Sequence, residues 1–358
     1  MDLRVVIAGG GTGGHLFPGI AIAQEFQSSL GAAVTFLTSP KAVTAQILER
    51  YGFPWEVIAS RALKGQGLWS RMRTLWSLPG NVREAGSRLR VLSPHLVLGM
   101  GGYASGPVGV AAYLLGLPLA IHEQNAIPGV ANRWLAKLAG RIFLSFPDTS
   151  GYYPRERAVW TGNPIRPEFL AAAPERPGAP LTVLIMGGSQ GAHSLNLAAL
   201  GALPLLADIK EQVAFLHITG KEDREEVAGG YKKAGFTAEV ADFTPEVAAW
   251  MGRAHLAVCR AGASTLAELT ALGRAALLVP FPFAANNHQE FNARFLAEKG
   301  AAELILNKDF TGEILADKIR QFISSPDSLA AMETASRSLA KPDAAQEIVR
   351  GCLELLKM

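Results

Sequence analysis

The sequence predicts an α/β protein of two doubly wound domains, each a parallel sheet covered by helices. Three observations predict it. Short apolar runs alternate with helical stretches along the whole chain. A glycine-rich loop that follows the first run recurs 178 residues later, half the chain on. The length, 358 residues, exceeds one ordinary domain and suits two.

The strands expected in the first half are Leu3–Ala8, Val34–Leu37, Leu96–Gly99, Leu119–His122 and Ile142–Ser145. In the second half they are Leu181–Met186, Val213–Ile218, Leu256–Cys259 and Ala276–Pro280. Nearly all are continuously apolar, which is the pattern of strands buried on both faces in a parallel sheet. Gly19–Leu30 and Leu266–Leu272 have helical character. The repeat pairs Gly9-Gly10-Gly11-Thr12-Gly13-Gly14-His15 with Gly187-Gly188-Ser189-Gln190-Gly191-Ala192-His193. Each reads as the strand, glycine loop and helix that open a Rossmann-like domain. Five prolines between Gly162 and Pro180 mark the boundary, giving expected domains of 1–162 and 163–340.

Composition excludes several classes. With 49% hydrophobic and 18% charged residues the chain is not disordered. Its net charge of +3 does not require a nucleic-acid partner. The two cysteines, Cys259 and Cys352, form neither a disulfide framework nor a CxxC metal site, and no Asp-x-Asp occurs, so no metal is expected. The N-terminus enters a strand without a basic leader, so no secretory signal is expected. Val91–Ile121 holds no charged residue, but six glycines and three prolines break it as a membrane span. A soluble or membrane-peripheral protein is expected.

The charge is unevenly distributed. Residues 1–165 carry 15 Lys/Arg and 8 Asp/Glu, whereas 166–358 carry 19 and 23. Arg61–Arg90 contains seven basic residues and one acid, interleaved with Leu63, Leu68, Trp69, Met72, Leu75, Trp76 and Leu78. Lys64, Arg71 and Arg73 among the basic residues, with Trp69, Leu75 and Trp76, suit an anionic membrane surface. An ordinary solvated helix face is the alternative.

Gly9-x-Gly11-x-x-Gly14 fits a dinucleotide-binding loop, which raises an NAD-dependent oxidoreductase. Such a site needs an acid at the end of the second strand, and here Thr38-Ser39-Pro40-Lys41 follows instead. Glycine loops also let backbone N–H groups approach a phosphate at a helix start. His15 projects from such a start and is a candidate base. His122-Glu123-Gln124-Asn125 ends another strand and offers a carboxylate and two amides for hydroxyls, with Gly101-Gly102-Tyr103 on the same rim. In the second half Arg260-Ala261-Gly262-Ala263-Ser264-Thr265 leads into a helix bearing Glu268. Glu268 either closes a capping box with Thr265 or grips a ribose diol. Asn286-Asn287-His288-Gln289-Glu290 resembles sugar recognition. Arg166 and Arg260 are candidates to meet a diphosphate.

The ordered motifs together resemble the MurG family of glycosyltransferase family 28, the undecaprenyldiphospho-muramoylpentapeptide β-N-acetylglucosaminyltransferases. The resemblance rests on Gly9–Gly19, His122–Ala126, Gly162–Arg166, Gly187–Ala192, Cys259–Thr265 and His288–Ala293, and spans the chain. It implies a GT-B fold, two Rossmann-like domains with parallel sheets facing a central cleft, the C-terminal helix (about 341–358) completing the first. It implies inverting transfer of N-acetylglucosamine from UDP-GlcNAc to the C4 hydroxyl of MurNAc in lipid I, giving lipid II at the cytoplasmic side of the bacterial inner membrane. A related enzyme with another lipid acceptor is the alternative.

The resemblance also assigns roles. On the donor side it places Glu268 on the ribose, Ser189, Gln190 and Arg166 on the diphosphate, Gln289 and His288 on the GlcNAc, and Thr244 near the uracil. Arg260, Ser264 and Thr265 belong to the same motifs, and Thr12, Gly13, Gly14 and Asn125 are further donor contacts. Tyr103, Glu123, Asn125 and Asn132 are the acceptor set. His15 or Glu123 is the base.

Overall fold

The computed structural model describes residues 2–10, 13–40, 42–58, 68–148, 151–171, 178–188 and 191–357, without the side chains of 42–43 and 68–77. The chain divides into two compact units, Met1–Arg166 with Lys341–Met358, and Pro167–Ala340.

In the first unit the elements run β1 (Arg4–Ala8), α1 (Gly13–Leu30), β2 (Ala33–Thr38), α2 (Ala42–Arg50), β3 (Trp55–Val57) and α3 (Leu68–Leu92). Then come β4 (Leu96–Gly99), α4 (Gly102–Leu114), β5 (Leu119–Glu123), α5 (Val130–Leu135), β6 (Arg141–Leu144) and β7 (Ala158–Trp160). The second unit contains α6 (Pro167–Ala171), β8 (Leu181–Met186), α7 (His193–Ala202), β9 (Val213–Ile218), α8 (Arg224–Ala234) and β10 (Thr237–Ala241). It continues through α9 (Val247–Arg253), β11 (Leu256–Cys259), α10 (Ala263–Leu272), β12 (Ala275–Leu278), α11 (His288–Glu298), β13 (Glu303–Leu304), α12 (Gly312–Ser324) and α13 (Pro326–Ser338). The last helix, α14 (Ala344–Leu355), belongs to the first unit.

Both sheets are wholly parallel, ordered β3-β2-β1-β4-β5-β6-β7 and β10-β9-β8-β11-β12-β13. The apolar runs explain this: every residue of β4, β5, β11 and β12 is buried, as strands covered on both faces require. The order in which strands are added reverses between β1 and β4 in one sheet and between β8 and β11 in the other. Those two switch points are where doubly wound sheets bind ligands.

All nine expected strands form, four with the expected ends and five with ends moved by one or two residues. β3, β7, β10 and β13 were not foreseen; β3, β7 and β13 are two or three residues long, and all four retain exposure rather than the buried apolar run that signals a strand. The first helix begins at Gly13, so Pro18 lies within it and His15 occupies its first turn.

α14 packs into the first core through Ile348, Val349 and Cys352, beside Ile20, Phe26 and Phe143. Burial of Ile348 and Val349 contributes roughly 3–6 kcal/mol by apolar area. Arg141 pairs with Glu354 at 2.9 Å, and the Lys341 ammonium lies 4.4 Å from the Trp160 ring centre. In the second unit Phe215 stacks with Tyr231 and Phe236 at 4.9 and 5.7 Å between β9 and α8. No described helix is long and apolar enough to cross a membrane.

Candidate active site

Each switch point is flanked by two strands that run almost directly into helices: β1 into α1, β4 into α4, β8 into α7, and β11 into α10. Among the described residues the N-cap residues of α4, α7 and α10 (Gly101, Ala192 and Gly262) make no side-chain cap, as in most helices of this chain. Uncapped helix starts leave backbone N–H donors and a partial positive charge at the carboxyl ends of the strands. That arrangement favours an anionic ligand.

Glycine is required at two points of these loops. Gly10 has φ of 121°, and a Cβ there would collide with Thr38 Oγ1. Gly191 has φ of 75°, and a Cβ there would collide with the Thr219 carbonyl oxygen. Thr38 thus ends β2 against the first loop, in the place where a dinucleotide site carries its acid.

On the first unit the polar cluster centres on Glu123, at the carboxyl end of β5 and 3% exposed. Its Oε1 accepts from Asn125 N at 3.0 Å and Asn125 Nδ2 at 3.4 Å. Its Oε2 accepts from Gly129 N at 3.0 Å and Asn132 Nδ2 at 2.9 Å. Burial raises the Glu123 pKa, and the four donors pull it partly back. The carboxylate therefore clasps the 124–132 segment, and neither oxygen lacks a donor. Asn132 Nδ2 also donates to the His122 carbonyl at 2.9 Å, while its buried Oδ1 has no partner among the described residues.

His15 reaches this cluster. A Cβ at Gly101 would lie 3.3 Å from the His15 ring and 3.3 Å from Asn132 Nδ2, so the two side chains flank the same glycine. Tyr103 follows on α4, 41% exposed. Arg166 lies with its guanidinium carbon 4.7 Å from the centre of the Phe17 ring, which packs on Gly13. Arg166, where the chain leaves the first unit, thereby stands beside the start of α1.

Behind Glu123, residues to which the sequence assigned no role of their own hold the strand ends. His122 is fully buried. Its Nδ1 accepts from Gln124 Nε2 at 3.1 Å, so its Nε2–H faces the Gly162 carbonyl at 3.3 Å. Burial lowers its pKa to about 4, which keeps the ring neutral. Ser145 donates to Asn163 Oδ1 at 3.2 Å.

In the second unit Arg260 is a strut. Its Nη1 donates to the carbonyls of Val279 (3.0 Å) and Pro280 (3.2 Å) and to Asn307 Oδ1 (2.7 Å). Its Nη2 donates to Ser194 Oγ at 2.9 Å. All these partners are neutral, so its positive charge stays available at the ends of β11 and β12. Gly262 is the N-cap of α10, with Ser264 and Thr265 in the first turn and Glu268 in the second. The Thr265–Glu268 capping box is therefore not formed: the helix starts three residues too early for Thr265 to cap it. Glu268 is 6% exposed.

Beyond β12, Asn286 and Asn287 both adopt left-handed backbone, φ 55° and 53°, before α11. Asparagine tolerates this conformation where most residues do not. Gln289 Oε1 accepts from Phe281 N at 2.9 Å, and His288 Nδ1 lies 2.8 Å from the Ala285 carbonyl. Thr244, buried at the end of the β10 loop, accepts from Glu246 N at 3.0 Å.

A second network went unforeseen because its members are scattered in sequence. Asn196 Nδ2 donates to the Thr219 carbonyl at 2.9 Å and to Asp223 at 2.6 Å, and its Oδ1 accepts from His217 Nε2 at 2.9 Å. Tyr231 OH donates to His217 Nδ1 at 3.0 Å. Burial lowers the His217 pKa to about 3. These bonds fix α7 against the strand end that Gly191 approaches.

Thr12, Ser189, Gln190 and Lys64 lie outside the described residues. Trp69, Arg71, Arg73, Leu75 and Trp76 occupy the first turns of α3, and their side chains lie outside the described ones. No cluster of three or more His, Cys, Asp or Glu gathers among the described residues.

Comparison with known proteins supplies the remaining finding. Residues 5–144 match the glycosyltransferase family 28 N-terminal domain, and 182–348 match its C-terminal domain. A relative from Syntrophus aciditrophicus (strain SB) is 42% identical over 361 residues, covering 100% of both chains. It is named UDP-N-acetylglucosamine--N-acetylmuramyl-(pentapeptide) pyrophosphoryl-undecaprenol N-acetylglucosamine transferase. A relative of the same name from Anaeromyxobacter sp. (strain Fw109-5) is 43% identical over 99% of this chain and 94% of its own. The crystal structure of Acinetobacter baumannii MurG superposes with a TM-score of 0.80 at 31% identity, covering 99% of this chain and 100% of that one.

Proposed function

The chain belongs to glycosyltransferase family 28 with a GT-B fold, and from that membership we infer that it makes lipid II. It is a UDP-GlcNAc-dependent N-acetylglucosaminyltransferase of peptidoglycan synthesis, acting on lipid I. One observation carries the reading: both sheets present a glycine loop, uncapped helix starts and a polar cluster at their switch points, in a chain as long as relatives named for this transfer.

The acceptor is assigned to the first unit, on Tyr103, Asn125 and Asn132. The Oδ1 of Asn132, without a partner among the described residues, supports this, because a sugar hydroxyl satisfies a buried acceptor that is costly to leave unmet. The donor is assigned to the second unit. Glu268 takes the ribose diol, Gln289 and His288 the GlcNAc hydroxyls, and Thr244 the base. The diphosphate falls to the α7 and α10 starts with Ser189, Gln190, Ser264, Thr265 and Arg260. Thr12, Gly13, Gly14, Asn125 and Arg166 are assigned to the donor by the family motifs that bear them.

In the step itself, the MurNAc C4 hydroxyl attacks C1 of GlcNAc as the bond from C1 to the β-phosphate oxygen breaks, with inversion. His15 accepts the hydroxyl proton. Helix starts and arginines stabilise the departing UDP, so that its charge is met by fixed dipoles rather than reorganising water. Glu123 is better suited to positioning than to proton transfer, since all its donors are already in place. The basic and aromatic residues Lys64, Trp69, Arg71, Arg73, Leu75 and Trp76 are assigned to the cytoplasmic face of the inner membrane, where lipid I resides.

The test offers purified protein UDP-GlcNAc with a lipid I analogue and, separately, a diacylglycerol acceptor. Transfer to the lipid I analogue alone is expected. Preference for the other acceptor overturns the acceptor assignment, and no transfer by folded protein overturns the enzyme assignment.

A further inference from the structure

The loop that follows β12 in the second unit holds two phenylalanines out in solvent. Phe283 is 84% exposed, more than any other large apolar side chain described, and Phe281 is 43% exposed. A phenylalanine facing water forgoes the hydrophobic gain of burial, so a pair of them on one loop marks a contact surface. The pair is held rigidly. Ala284 N donates to the Phe281 carbonyl at 3.1 Å, closing a β-turn with Pro282 at its second position, where the proline ring fixes φ. Phe281 N donates to Gln289 Oε1 at 2.9 Å, which leaves Gln289 Nε2 to donate elsewhere. The two rings meet edge to face, their centres 5.7 Å apart at 74°, a favoured arrangement. Arg260 braces Phe281 in turn, its guanidinium carbon 5.8 Å from the ring centre.

Strand order says what would meet this pair. Across the second sheet the loops run from β10, through the switch point between β8 and β11, to β12. With the uracil at Thr244 beside β10 and the diphosphate at the switch point, the hexose of the donor falls on the β12 side. There Arg260, Phe281 and Phe283 form a chain of contacts of rising exposure. We propose that Phe283, backed by Phe281, is the platform against which the donor's N-acetylglucosamine ring packs, with the sugar hydroxyls at Gln289. A gluco-configured pyranose carries its hydroxyls around the rim and C–H groups on its faces, so an aromatic ring beside a side-chain amide matches it. This rests on the donor assignment above and adds to it a residue that binds the transferred sugar rather than the nucleotide.

The experiment uses the full chain. Calorimetry measures UDP and UDP-GlcNAc binding to the wild type, Phe283→Ala and Phe283→Tyr, and steady-state transfer to a lipid I analogue gives KM for each substrate. Phe283→Ala should bind UDP within twofold of the wild type and UDP-GlcNAc at least fivefold more weakly, with the donor KM raised to match. Phe283→Tyr keeps the ring and should restore UDP-GlcNAc binding to within twofold. So exposed a side chain adds little to packing; Phe283→Leu, which lacks the flat ring, takes the place of Phe283→Ala if melting shows that variant misfolded. Unchanged UDP-GlcNAc binding without the ring overturns the platform, as does a tyrosine variant no better than the alanine one. Equal weakening of UDP and UDP-GlcNAc overturns it too, because the turn then serves the nucleotide. A raised KM for the lipid acceptor alone overturns the choice of sugar. Wild-type protein that binds neither UDP nor UDP-GlcNAc removes the donor assignment itself, a result distinct from the others.

Discussion

Replacing Glu123 by glutamine separates a clasp from a base. The change keeps shape but turns one carboxylate oxygen into an amide donor. Either the Asn125 N and Nδ2 pair or the Gly129 N and Asn132 Nδ2 pair then faces an N–H₂ group instead of an acceptor. Each unmet buried donor costs about 1–3 kcal/mol, and removing a buried charge offsets part of that. A net loss of ~3 kcal/mol is expected. At roughly 2–4 °C per kcal/mol for a domain of this size, the first unit should melt about 6–12 °C lower. Scanning calorimetry measures the melt, and steady-state kinetics at a temperature where the variant is folded measures transfer. Turnover should fall less than tenfold, with KM for the acceptor raised as the 124–132 segment loosens. A thousandfold loss of kcat with an unchanged melting temperature would make Glu123 the base and refute this reasoning.

His15→Ala should lower kcat by about 10²–10⁴ while UDP binding, followed by calorimetry, stays within twofold; an unchanged rate removes His15 from the mechanism. Glu268→Ala should weaken UDP-GlcNAc binding at least tenfold; binding left intact in the folded variant contradicts the ribose contact. His122 and His217 have folded pKa values of about 4 and 3, below the unfolded 6.5. Their contribution is whole above pH 6.5 and is lost as pH falls towards those values, about 3 kcal/mol for His122 alone. Chemical unfolding between pH 7 and 4.5 should show stability falling, with a shallower slope in His122→Gln; a flat wild-type profile contradicts a buried neutral ring. Polar replacement of Trp69, Leu75 and Trp76 should reduce vesicle sedimentation yet spare transfer to a soluble acceptor, and undiminished sedimentation excludes those residues from the membrane face.

What the sequence disclosed follows from how each signal is encoded. Continuous apolar runs such as Leu96–Gly99 and Leu256–Cys259 mark buried parallel strands locally, so the central strands of both sheets were legible. Edge strands such as Thr237–Ala241 carry half-exposed residues and no such run. The glycine loops declared themselves because backbone geometry demands the residue: Gly10 and Gly191 have no room for a side chain. The Asn196–His217–Asp223 network and the His122–Gln124 pair were hidden because their partners meet only after folding. Glu123 was noticed for its carboxylate, but its four donors come from residues two to nine positions on, and only the folded loop reveals how fully they occupy it. Thr265 and Glu268 showed the reverse failure, where spacing mimicked a cap that the start at Ala263 forbids.

The central claim is transfer of GlcNAc from UDP-GlcNAc to lipid I. Incubating the purified chain with radiolabelled UDP-GlcNAc and a lipid I analogue, then resolving the product, tests it most directly. The account predicts one GlcNAc transferred per acceptor through a β-linkage to the MurNAc C4 hydroxyl, with one UDP released for each. UDP-GlcNAc bound by the folded protein with no labelled lipid formed, whatever the membrane composition, would contradict it.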